Sequence, residues 1–162
     1  MVIGKRFFTK NLKYMISLNN YVKRKNGVSL GHKNSLGNML KRSLGANSFD
    51  LFWVHWNPIW NYYLNKRIYK PAKKICYPYL AVVLTFCFSG FIHDLVGLLI
   101  YSKMSFLFTT WFIIMGIVVV IFKGNRFFYK TQKKALNYSL NVILIVTSFL
   151  LAKWIQKGFY FS

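Results

Sequence analysis

Acidic side chains are almost missing from this 162-residue sequence: Asp50 and Asp94 are the whole set, and glutamate does not occur. So poor a supply excludes a carboxylate-rich metal cage, and His32, His55 and His93 have no carboxylate nearby except Asp94. We therefore expect no metal site. Cysteine is equally scarce. Cys76 and Cys87 stand eleven apart, with neither a CxxC spacing nor a Cys/His cluster, and read as inert thiols. A cleavable signal peptide is not visible either, since Met1–Asn47 is basic and has no sustained apolar stretch. Insertion into a membrane would rely on internal helices.

What is abundant is positive charge and apolar surface. The 23 Lys and Arg give a formal net charge of +21, in a chain that is 55% hydrophobic and 20% aromatic. Such an excess suits nucleic acid or anionic lipid. The apolar residues decide between them, because they gather in three long runs, Pro78–Tyr101, Met104–Phe122 and Tyr138–Gln156. Ten basic residues precede Leu51, five lie in Lys66–Lys74 and five in Lys123–Lys134. Clusters beside apolar runs are held by anionic headgroups. No nucleic-acid-reading motif accompanies the charge, so nucleic acid is not an expected partner. Phe, Tyr, Lys, Asn and Ile are abundant. These residues come from A/T-rich codons, as in a small organellar genome.

These features predict an all-α membrane protein: about three transmembrane helices, an interfacial amphipathic helix and a basic N-terminal arm. The arm, residues 1–47, includes Asn11–Val22 as a short amphipathic helix lying on the membrane. Residues 48–162 form the membrane domain. In it, Ser48–Tyr69 carries Trp53, Trp56, Trp60 and Tyr63 at helical spacing, an aromatic face suited to the headgroup level. Asn57 and Asn61 share one face, and Pro58 is expected to kink the helix beside Asn57. Lys66–Lys74 is a basic connector. Both connector clusters demand the same side, so the chain is expected to be multi-pass with its N-terminus cytoplasmic, or on the matrix side in an organelle.

The first apolar run, 24 residues long, contains Ser89-Gly90-Phe91-Ile92-His93-Asp94. An ionisable pair in such a run marks either a functional site or a satisfied helix contact. Gly90, His93 and Gly97 lie at i, i+3 and i+7, leaving room for a neighbouring helix or a chain-like substrate. Asp94 points about a quarter-turn away from His93. From this span alone, a packed histidine and a catalytic one are equally good readings.

Two stretches resemble a known family when taken together. Ser48-Phe49-x-x-Phe52-Trp53-x-x-Trp56-Asn57-Pro58 leads to Ile68-Tyr69-x-Pro71, and Thr85-Phe86-x-x-Ser89-Gly90-x-x-His93-Asp94 follows. Their order and spacing is similar to the membrane-bound O-acyltransferase (MBOAT) family, in its wax synthase and sterol acyltransferase-like branch. The resemblance implies acyl transfer from acyl-CoA, a co-substrate and not a bound cofactor, to a hydroxyl acceptor. It makes His93 the general base and Asn57 its polar partner in catalysis. Trp53, Trp56, Ser89, Gly90 and Asp94 would bind substrate. Burial would keep the imidazole neutral. The family's N-terminal half is absent from this chain, which predicts a homo-oligomer or a partner membrane subunit completing the tunnel. The competing expectation is a non-catalytic membrane subunit or degenerate relative that binds anionic lipid or a partner protein.

Overall fold

Local signals set the helix ends. The computed structural model describes residues 16–124 and 134–160, and its described elements are all helical. Ser17 accepts from the Asn20 N–H at 3.3 Å and opens α1, Leu18–Asn26; Gly27 closes it at φ +84°. The amphipathic helix thus runs later than Asn11–Val22, and residues 11–15 lie outside the described residues. Helix α2 is Ser35–Leu44. Ser48 caps α3, Phe49–His55.

The expected single helix over Ser48–Tyr69 is broken. Asn57 adopts φ 38°, ψ 70°, and Pro58 starts a new helix, α4, Pro58–Leu64. A residue before proline is pushed out of the right-handed helical region, and asparagine tolerates the left-handed one. The result is a break where a kink was expected. The chain stays helical through a π-helical turn, Asn65–Tyr69, into α5, Lys70–Ile75. That turn lies directly ahead of Pro71, which has no N–H to give the preceding turn.

Pro78 is the first residue of α6, Pro78–Tyr101, which has the expected bounds. Helices α7, Leu107–Gly124, and α8, Lys134–Tyr160, are shifted from the expected 104–122 and 138–156. Two helices are long and apolar enough to cross a membrane, Pro78–Tyr101 and Lys134–Gly158; the apolar part of α7, Leu107–Lys123, is shorter. It starts late because the Asp94 carboxyl group takes the Phe108 N–H at 3.0 Å, the Thr109 N–H at 2.7 Å and the Thr109 hydroxyl at 2.6 Å. A side chain of α6 therefore caps α7.

Helices α6 and α7 form a tight antiparallel hairpin. A Cβ on Gly90 would sit 2.5 Å from the Phe108 carbonyl oxygen and 2.8 Å from the Thr109 Cα, so only glycine fits. Helix α8 packs on α7, where the Trp111 indole donates to Ser148 Oγ at 3.0 Å. Phe49 and Phe52 of α3 are buried against Phe112, Met115 and Val119 of α7.

Residues 16–47 were expected to form a surface arm, yet they pack into this same body. Asn141 of α8 donates to the Leu44 and Ala46 carbonyls at 2.8 and 3.0 Å, and Asn137 donates to Asn47 Oδ1 at 2.9 Å. The Tyr21 hydroxyl donates to Asn61 Oδ1 at 3.1 Å. Its partial burial holds that hydroxyl above its ordinary pKa.

Candidate active site

The site is organised by one stripe of α6. Ser89, His93 and Gly97 follow one another at i, i+4 and i+8 and line one cavity of about 760 Å³. Val82 and Tyr101 mark its extent along α6, nineteen residues or about 28 Å of helix. The opposite wall comes from α3, α4 and the π-helical turn, with Phe108 and Phe112 contributed by α7.

His93 Nδ1 lies 2.7 Å from the Ser89 carbonyl oxygen. A carbonyl only accepts, so Nδ1 carries a proton, and in the neutral ring Nε2 is the nitrogen with the lone pair. Phe112 and Phe108 flank the ring, with centroids 5.1 and 5.9 Å away. Burial of His93 was the expected means of keeping it neutral. The side chain is instead exposed in the open cavity, and its tautomer is set by the Ser89 carbonyl.

Asn57 reaches the same cavity from the break between α3 and α4. Its Oδ1 accepts from the Trp60 N–H at 3.2 Å and so caps α4. That commits the acceptor end and leaves the Nδ2 donor end without a partner among the described residues. The Trp60 indole then donates to Ser89 Oγ at 2.9 Å. Asn57, Trp60, Ser89 and His93 are thus linked in sequence by three hydrogen bonds. Asn61 has a different job. Its Nδ2 holds the Trp53 carbonyl at 2.8 Å while its Oδ1 takes the Tyr21 hydroxyl.

Trp53 and Trp56 also line the cavity. Trp56 stacks on Phe52 at 5.4 Å, and Trp53 meets Phe86 edge-on at 4.9 Å. The Trp53 indole N–H is buried with no hydrogen-bond partner among the described residues. Gly90 and Asp94, both expected at the substrate, do not line the cavity. They face α7, one permitting close approach and the other capping it. The quarter-turn between residues 93 and 94 separates the two roles.

Trp60 is the site residue that sequence reasoning left unassigned. Its place seven residues beyond Trp53, on the aromatic face, was the available signal. Phe108 and Phe112 carried no signal, being ordinary members of an apolar run. Among the described residues, no three His, Cys, Asp or Glu side chains come together. Comparison with family models, curated proteins and solved structures yields no match to this chain.

Proposed function

We propose that this chain is a multi-pass membrane protein that moves an acyl group from acyl-CoA to a hydroxyl acceptor, as the MBOAT enzymes it resembles do. In this reading α6, α7 and α8 cross the bilayer. Supporting it, only 17% of the apolar window of α6 and 22% of that of α8 are buried within the chain. The core helix of a soluble protein would be mostly enclosed. A bilayer core of ~30 Å needs about 20 helical residues, with about 17 as a lower bound. The connectors Lys66–Lys74 and Lys123–Lys134 then share the cytoplasmic or matrix side.

One observation carries the acyl-transfer reading: His93 Nε2 and the Asn57 amide donor, both without a partner among the described residues, belong to residues lining one elongated apolar cavity. An acceptor hydroxyl gives its proton to Nε2 as its oxygen attacks the thioester carbonyl. The C–O bond forms, and the Asn57 amide donates to the resulting oxyanion. As the intermediate collapses, the C–S bond breaks and the departing sulfur takes the proton from the imidazolium. Ester and free coenzyme A are the products, and the base is regenerated. Trp53 and Trp56 wall the acyl path, and Ser89 holds the histidine.

A second reading is favoured by the exposure of His93. A cavity open on one side needs another wall, so the chain would be a subunit completed by a second copy or a partner membrane protein. The test is release of coenzyme A from long-chain acyl-CoA by membranes containing this chain alone, compared with His93→Ala at equal expression. His93-dependent release is the expected result. Equal release from both, or none from either, overturns independent catalysis; absence of acyl-CoA binding as well leaves the subunit reading.

A further inference from the structure

A second concavity lies away from the histidine cavity, between α2 and the first turn of α8. Its volume is about 340 Å³, and its walls are Asn38, Lys41, Arg42, Gly45, Lys134 and Tyr138. Three cationic residues from two helices line it, and no carboxylate does.

The chain has little means of neutralising them. Of its two carboxyl groups, Asp94 is buried and takes three hydrogen bonds from the start of α7. Asp50 accepts from the Ser48 hydroxyl and lines the histidine cavity. Cations gathered with no internal counter-charge repel one another at close range. An external anion relieves that repulsion.

The local build suits such an anion. Arg42 is anchored by one nitrogen, Nη1, which donates to the Lys25 carbonyl at 3.2 Å. Its fork keeps further N–H groups for a ligand. Carbonyls near the C-terminus of α2 would repel an anion, but those of Lys41, Ser43, Leu44 and Ala46 are occupied. The Lys41 carbonyl accepts from Gly45 N–H and the Tyr138 hydroxyl, and those of Leu44 and Ala46 accept from Asn141. Gly45 lets the Tyr138 ring lie against α2, since a Cβ there would be 3.2 Å from Tyr138 Cε2.

The geometry points to a phosphate-binding site in this cleft, for a phosphate carried by a phospholipid headgroup or free in solution. This inference does not rest on acyl transfer, since neither His93 nor Asn57 takes part.

The test uses the full chain in a neutral detergent, with dioctanoyl phosphatidic acid, dioctanoyl phosphatidylcholine and inorganic phosphate as separate probes. Binding is read by native mass spectrometry on the unaltered chain, on Lys41→Gln/Lys134→Gln, and on Lys66→Gln/Lys73→Gln as an equal-charge control. Phosphatidic acid is expected to bind, with affinity about tenfold lower in the cleft variant and within about twofold in the control. Equal losses in the two variants would mean diffuse charge attraction and overturn the site. No binding of either anionic probe overturns it too. Inorganic phosphate binding as strongly as the lipid, with the same dependence on the cleft, supports the phosphate site and assigns it a soluble ligand.

Discussion

The face of α6 that packs on α7 and the face that lines the cavity are built from interleaved residues of one short motif, Ser89 to Asp94. Gly90 and Asp94, four apart, are both buried and turned to α7. Ser89, His93 and Gly97, also four apart, turn to the cavity. The first pair has every neighbour it needs within the chain. In the second set, His93 Nε2 has no partner among the described residues, and a Cβ on Gly97 would meet none of them within 4 Å. Neighbouring positions on a helix are about 100° apart, so a single motif can brace a hairpin with one half and present chemistry with the other. Polar residues on an apolar helix do not all speak for function.

The sharpest way to break this contrast is at residues 93 and 94. His93→Ala is expected to lower acyl transfer by about 10²- to 10⁴-fold, the usual weight of a positioned general base. Its thermal midpoint in detergent should stay close to that of the unaltered chain. A large fall in that midpoint would move His93 to the structural face. Asp94→Ala should do the reverse. It strips a buried acceptor from two backbone N–H groups and a hydroxyl, costing about 3 kcal/mol and lowering the midpoint by about 10 °C. Asp94→Asn, which keeps one acceptor oxygen, should recover part of the loss.

The two glycines sharpen the comparison further. Gly90→Ala puts a methyl group into the backbone of α7 and should cost about 1–3 kcal/mol. Gly97→Ala, facing open space, should change stability by less than about 0.5 kcal/mol. Similar losses at both positions would mean that Gly97 also packs against a helix, as it would inside an oligomer. The smallest effect concerns the outer support of the site. Folded Tyr21 holds its proton to higher pH than the unfolded chain, whose tyrosine titrates near 10.0. Its contribution is fully present below that value and is lost as pH rises through the higher folded value. Tyr21→Phe should remove this alkaline loss; an unchanged pH profile of the midpoint would show that burial of the Tyr21 hydroxyl is not its source.

Much of the fold was legible because its signals are local. The bounds of α6 follow from Pro78 and an unbroken apolar run, and Ser48 marks the start of α3. His93, Asn57, Trp53, Trp56 and Ser89 were named from spacing and resemblance, and all line one cavity. The break at Asn57 was harder to read, because an asparagine before proline can sit in a kinked helix or cap a new one. The packing of residues 16–47 was not legible. Asn137 and Asn141 reach back about 90 positions to hold that segment, and their own helix shows no mark of the partner.

By itself the sequence determined the helical character, the apolar runs, the basic excess and the dearth of carboxylates, because these depend on composition and on residues within a few turns. The tertiary structure decided which half of the Ser89–Asp94 motif meets α7 and which tautomer His93 holds in an open cavity. It also brought Trp60 to Ser89, 29 positions away, and set Lys41 and Arg42 opposite Lys134. The physical reason is the same each time. A side chain's role depends on what faces it, and here the facing groups come from helices distant in sequence.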